Sequence, residues 1–284
     1  MTDLRHWISA LGRAGQAGLV IVALFTLVAF VMAVVPGPGD ATLASGAGQW
    51  EPASTRHWFG TNRLGQDVFA RAMGGAATAI KVGTLVTALS LLLGAAAGAA
   101  VGWRQGGWVD TLVVWLMGVL DAIPFYLFAA ALAFALGAGT LAMYAAMVLT
   151  FWTATARLVR AEVLRLRQMD YVASARAIGL PGWRIAGRHL LPNCRHLLLV
   201  QAVLTFVAAI KTEVILSFLG IGVRDGVSWG LMLSEATQDV LAGHFGNFLA
   251  ASLLMFILLL GFNLLADALQ DRDSQARPDG VRSP

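Results

Sequence analysis

Four stretches of this chain contain no Asp, Glu, Lys or Arg: residues 17–35, 82–102, 122–156 and 245–266. About 20 residues of α-helix cross the roughly 30 Å hydrocarbon layer of a bilayer. Each run has that reach. The 35 residues of 122–156 suffice for two short crossings if the chain reverses at Gly137-Ala138-Gly139. A further apolar run, Leu197 to Ile210, continues past Lys211 and Glu213 to Gly222. That makes six crossings. Spanning β-strands would alternate apolar and polar residues over about 10 positions, which these runs do not do. The expectation is an all-α membrane protein. Its 13% of charged residues fits this, since a soluble domain carries about 25%.

Short loops rich in Lys and Arg stay on the cytoplasmic side of a membrane. Arg5 and Arg13 precede the first run, and Arg104 lies between the second and third. Arg157, Arg160, Arg165, Arg167, Arg176, Arg184, Arg188 and Arg195 lie between the fourth and fifth, and Arg272, Arg277 and Arg282 follow the sixth. The opposite segments hold Arg56, Arg63, Arg71 and Arg224, while Lys81 and Lys211 sit at or within helices. Both termini are therefore expected to be cytoplasmic. The resulting division is a cytoplasmic amino terminus (1–16), a first spanning helix (17–35), an external segment (36–78) opening with Pro36-Gly37-Pro38-Gly39, a core of five helices (79–268) and a cytoplasmic tail (269–284). Within the core lies a basic cytoplasmic loop, 157–195. The first apolar run is longer than a signal-peptide core and lacks a small-x-small cleavage site, so it reads as a retained helix. The single cysteine, Cys194, cannot form an internal disulfide. The basic residues are explained by topology and do not require a nucleic-acid partner.

Loops of nearly 40 residues without a role are uncommon. In the cytoplasmic one, a short helix is expected from Asp170, whose side chain can accept from the first free backbone donors. Gly179-Leu180-Pro181-Gly182 would end it. Ala173, Ser174, Ala175 and Ala177 give it small side chains, suited to docking into a groove on another protein or to lying on the lipid surface.

Ala173-Ser174-Ala175, three residues, Gly179, nine residues and then His189-Leu190-Leu191-Pro192-Asn193 resemble the cytoplasmic loop of ABC importer permeases. The usual first Glu is Ala173 here, and the usual Ile is His189. Those departures resemble the subfamily importing dipeptides, oligopeptides and nickel. The segment Phe59-Gly60-Thr61-Asn62-Arg63-Leu64-Gly65-Gln66-Asp67-Val68-Phe69-Ala70-Arg71 resembles its external hallmark. Gln66 stands there for the usual Arg and Ala70 for the usual Ser. Leu216-Ser217-Phe218-Leu219-Gly220-Ile221-Gly222 with Ser228-Trp229-Gly230, and Phe262-Asn263-Leu264-Leu265-Ala266-Asp267-Ala268-Leu269, resemble its later motifs. Length and external segment are similar to the second, short-amino-terminus permease of such systems.

The resemblance implies a type I importer-like fold with a coupling helix that sits in a cleft of an ATPase subunit. Asp170, Tyr171, Ala173, Ser174, Ala175, Gly179, Leu180 and Pro192 are its implied coupling residues. The implied partners are a homologous second permease, two ABC ATPase subunits that bind ATP and Mg, an extracytoplasmic solute-binding protein and the lipid of a bacterial inner membrane. The implied substrate is a di- or oligopeptide or a nickel-type solute.

Charges inside a membrane are functional candidates by default. Glu213 and Lys211 point to different faces of one helix, and with Ser217 they are candidates for the translocation path. A structural role for Glu213 stands beside that reading. An ion-coupled secondary transporter built on Glu213 and Lys211 is the rival class, although no inverted repeat is evident. Lys81 is expected to open the second helix at its interface. Asp110 and Asp121 are expected to be architectural; if the third helix crosses only from about residue 122, Asp121 lies near the cytoplasmic surface and Pro124 kinks the entry. Gly83, Gly94, Gly98 and Gly261 are expected to allow close helix contact. Arg63 and Asp67, four apart, can pair with each other or meet the binding protein. His6, His57, His189, His196 and His244 have no metal-ligand spacing, and no nucleophile–base set or phosphate-binding loop is present. The chain is expected to be no enzyme and to bind no cofactor itself.

Overall fold

The computed structural model describes residues 11–34, 47–224 and 226–275. Its helices are α1 (Gly12–Val34), α2 (Val68–Trp103), α3 (Trp108–Ala122), α4 (Phe125–Ala135), α5 (Thr140–Leu166), α6 (Asp170–Ala177), α7 (Gly182–Ile185), α8 (Arg195–Phe218), α9 (Trp229–Leu241) and α10 (Gly246–Gln275). Among the described residues the only β-type pairing is an isolated bridge between Thr61 and Asp67. Helix is what lipid demands, because a spanning backbone must satisfy its own N–H and C=O groups.

Among the described residues, five runs are long and apolar enough to cross: α1, α2, α5, the run Gly182–Phe218 ending in α8, and Gly246–Arg272 of α10. The candidate for a sixth is a bent pair, α3 and α4, which meet at 99°. Pro124 has no N–H and forces the preceding residue out of helical geometry. Ile123 and Pro124 accordingly take ψ values of 134° and 119°. The expected kink is thus a full corner. The chain then reverses where expected, through Gly137, Ala138 and Gly139, all at positive φ.

Helix α2 packs most extensively on α5. Gly94, Gly98 and Gly102 form the seam. A methyl at Gly94 would lie 2.6 Å from Thr155 Cβ, and one at Gly102 would lie 2.9 Å from Val163 Cγ1. Helix α1 lies along α10 in the same way, with Gly18 facing the Gly261 carbonyl and Gly261 facing Ile21. Lipid tails are as apolar as leucine, so such contacts hold helices together by close van der Waals packing. Val20, Leu24, Leu27 and Phe30 on α1, and Leu253 and Phe256 on α10, remain exposed around the bundle.

Several boundaries move. Helix α1 begins at Gly12, inside the segment assigned to the amino terminus. Helix α2 begins at Val68, so Lys81 does not open it, and Arg71 belongs to the helix rather than to the external segment. Asp67 starts it by accepting from the Ala70 N–H at 2.8 Å. The Pro36–Gly39 opening, Arg5, His6, Arg277 and Arg282 lie outside the described residues.

Candidate functional site

At one end of the bundle, α6 is carried on the tip of α5. Val172 and Ala175 are its anchors, buried with Val159, Val163, Leu166, Ile185, Leu190 and Cys194. Asp170, Tyr171, Ala173, Ser174 and Ala177 face outward. Ala175 therefore supports the helix from beneath and is not part of its small outer face. Asp170 is not the cap that was expected. Met169 holds the N-cap position, no side chain bonds there, and Asp170 is the first helical residue. Gly179, at φ +80°, ends the turn: its N–H reaches Arg176 O at 2.9 Å while the Leu180 N–H reaches Ala175 O at 3.2 Å. This is the left-handed cap for which glycine is favoured. Next to it Ile178 is 77% exposed, while Leu180 packs half-buried against the anchor cluster.

The segment resembling the end of the loop motif becomes a π turn (Ala186–Leu190) and a 3-10 turn (Leu191–Cys194) leading into α8. His189 and His196 thus do not share one continuous α-helix face. Leu190 and Cys194 are buried and Pro192 is exposed. Asn193 Nδ2 donates to His189 O at 2.6 Å and approaches the Tyr171 hydroxyl at 3.5 Å. The contact brings the two parts of the motif together.

The corner at Ile123–Pro124 opens a cleft of about 740 Å³. Its walls come from the α3–α4 corner, from α5 (Thr150, Phe151, Thr153, Ala154) and from α8 (Gln201, Leu204, Thr205, Ala208). Asp121 lines this cleft and is ion-paired with Arg157, and Thr153 Oγ1 donates to Asp121 Oδ1 at 3.3 Å. Gln201 Nε2 donates to Thr205 Oγ1 at 3.2 Å. The lining is thus largely apolar, with hydroxyls, an amide and the Asp121 carboxylate.

Glu213, Lys211 and Ser217 do not line this cleft. Glu213 is 1% exposed in the interior. It accepts from Ser217 Oγ at 2.6 Å. Ser217 Oγ in turn accepts from the Val223 N–H at 3.1 Å. This network ties the end of α8 to the turn preceding α9. Lys211 is exposed on another face, as its spacing required. The two charges the rival transporter needed are neither together nor in the cleft.

At the opposite end, residues 47–67 fold against α9. Trp50 stacks on His244 with ring centroids 4.6 Å apart and donates to Asp239 at 3.0 Å. Arg63 and Asp67 do not pair: Asp67 caps α2 and is bonded to His57 Nδ1 at 2.7 Å. Arg63 instead lines a second cleft of about 550 Å³ with Gln49, Trp50, Leu64, Gln238, Leu241 and Ala242. Its Nε is buried without a hydrogen-bond partner. Beside it, Arg71 reaches Glu235 on α9 at 2.5 Å and also bonds Gln66.

Sequence reasoning missed the polar cleft. Its signals were Thr150 and Thr153 three apart on α5, and Gln201 and Thr205 four apart on α8.

Comparison with known proteins agrees with this architecture. Residues 90–275 match the family described as binding-protein-dependent transport system inner membrane component. The chain is 34% identical over 274 residues to the dipeptide transport system permease protein DppC of Bacillus subtilis, covering 95% of this chain and 85% of that one. It is 34% identical over 260 residues to the oligopeptide transport system permease protein OppC of the same organism, covering 91% and 84%. It is 35% identical over 223 residues to the glutathione transport system permease protein GsiD of Pectobacterium atrosepticum, covering 78% and 73%. With its apolar helices, its outward-facing loop helix and its full-length likeness to these permeases, the chain belongs to the inner-membrane components of binding-protein-dependent transport systems, as an ABC importer permease subunit.

Proposed function

We propose that this chain is one of two homologous permeases of a peptide importer, crossing the membrane six times with both termini in the cytoplasm. Two ABC ATPase subunits, holding ATP and Mg, engage it below, and a solute-binding protein delivers substrate from above. The observation that carries the coupling role is α6. It is anchored by Val172 and Ala175, yet it presents Asp170, Tyr171, Ala173, Ser174 and Ile178 outward at the bundle end. Tyr171, Asn193 and Pro192 extend the same surface, and Gly179 shapes its edge. Movement of the ATPases pushes this helix, α5 transmits the push, and the cleft at the α3–α4 corner changes its access as a rigid two-state element. The cleft forms this subunit's half of the solute path. Arg63, at the opposite end, is the contact for the binding protein.

Relatives named for dipeptides, oligopeptides and glutathione favour a peptide substrate over nickel. The deciding experiment purifies the tagged chain in mild detergent and identifies its companions. Wild type should bring down a P-loop ATPase and a second permease. Ala173→Trp, an exposed substitution on α6, should lose the ATPase and keep the permease. Retention of the ATPase by that variant would sink the α6 assignment. Competition of uptake by dipeptides, or by nickel, identifies the substrate.

A further inference from the structure

Beside the coupling segment, but away from its outer face, lies a third cleft of about 500 Å³. Ala96, Ala99 and Ala100 of α2 form one wall, and Gly182, Ala186 and Gly187 form the other. All six are small, so the groove has a smooth floor with room for an extended chain. Trp103 and Trp183 stand at its sides, the latter 73% exposed. Trp103 can lie against the facing backbone only because residue 182 is glycine: any Cβ there would collide with the indole.

Cations surround this groove. Arg104 lines it. The Arg176 guanidinium sits 4.6 Å over the Trp103 ring, and that of Arg184 5.3 Å from the Trp183 ring. Among the described residues none of the three makes an ion pair. The groove lies at the last turn of α2, where the charge-free run 82–102 ends and Arg104 follows, the depth expected for the boundary between hydrocarbon and headgroups. Tryptophan is enriched at that depth, and basic pockets between spanning helices at that boundary suit anionic headgroups.

We propose that this groove binds one anionic phospholipid, with an acyl chain along the alanine and glycine walls and the headgroup phosphate against Arg104 and Arg184. The small walls match an acyl chain, and the unpaired guanidiniums match the headgroup charge. A soluble anion would use the cations and leave the apolar floor uncovered. The proposal goes beyond the importer reading and stands on the groove alone.

The test uses the importer complex in detergent, delipidated and then titrated with phosphatidylglycerol or phosphatidylcholine of identical acyl chains. Bound lipid is counted by native mass spectrometry. Arg104→Gln with Arg184→Gln removes charge, whereas Ala96→Leu with Ala100→Leu fills the floor from two exposed positions and leaves the cations intact. Arg176 is left alone because it belongs to α6. Wild type should retain phosphatidylglycerol over phosphatidylcholine, and each double variant should bind it about tenfold or more weakly. Equal retention of both lipids would overturn the proposal. Loss with the arginine variant alone would also overturn it, because only a charged surface would then be involved. Displacement of the lipid by millimolar inorganic phosphate would show a phosphate site in its place.

Discussion

Arg160 grips Asp110 with two hydrogen bonds, Nε to Oδ1 at 2.8 Å and Nη2 to Oδ2 at 3.0 Å. One turn earlier on the same helix, Arg157 holds Asp121. Two carboxylates eleven residues apart on α3 are thus tied to arginines three apart on α5. The pairs differ in their surroundings. Asp110 and Arg160 side chains are 8% and 25% exposed, whereas Asp121 and Arg157 are 45% and 58% exposed.

That difference separates two kinds of effect. Arg160→Ala strands a largely buried carboxylate that otherwise keeps only the Gly106 N–H. Hydrogen bonds to charged groups contribute about 1.5–3 kcal/mol, so a loss of about 2 kcal/mol is expected. Thermal unfolding of the detergent-solubilised chain measures it. No change in midpoint would mean that α3 is not held by this pair.

Arg157→Gln should leave that midpoint almost unmoved, because exposed ion pairs contribute roughly 0–1 kcal/mol. Its effect belongs to transport. Asp121 lines the cleft, so loss of Arg157 leaves its negative charge unpaired in the proposed path. Peptide uptake into vesicles should fall while ATPase association persists. The swap Asp121→Arg with Arg157→Asp should restore part of it. Normal uptake by Arg157→Gln would remove the cleft from the pathway.

Arg71 and Glu235 test a packing claim at the other end. Arg71 is buried in α2 and its partner is on α9. Removing one member of a buried pair costs about 3–5 kcal/mol, while an apolar replacement of both is often neutral. Glu235→Ala should therefore destabilise strongly, and Arg71→Met with Glu235→Leu should recover most of the loss. Equal destabilisation by the single and double variants, read from thermal unfolding, would refute the argument.

Much of this architecture was legible because lipid leaves an apolar segment one backbone solution. The apolar runs marked the five unbroken candidate spans but not the bent pair, whose α3 begins at Trp108, ahead of the run at 122; Gly137-Ala138-Gly139 marked the reversal. The start of α2 was obscured by Arg71 and Lys81, which interrupt the apolar pattern although a helix accommodates both, one buried against Glu235 and one exposed. Pro124 announced a kink, but not a 99° corner, because the angle depends on how α4 then packs on α5. The cleft was illegible for a related reason: its polar residues are scattered over three segments that meet only after folding. Glu213 drew attention as an intramembrane charge, yet it is buried and bonded to Ser217, and no spacing rule distinguishes a buried network from a pore.

Gly179 separates the shape of the proposed coupling segment from its surface. Its φ of +80° is costly for a residue with a Cβ, yet an added Cβ would meet nothing within 4 Å. The penalty is therefore conformational, about 1–2 kcal/mol for most residues and less for Asn. Gly179→Asn should leave transport close to wild type. Gly179→Val should loosen the end of α6, exposing the Arg176–Gly179 backbone to faster hydrogen exchange, and should reduce uptake per ATP hydrolysed. Ser174→Arg changes the outer face without touching the turn, so it should impair ATPase association with exchange unchanged. If Gly179→Asn and Gly179→Val behaved alike, the left-handed turn would have no part in coupling, and the glycine's contribution would have to lie in the space it leaves open to a partner.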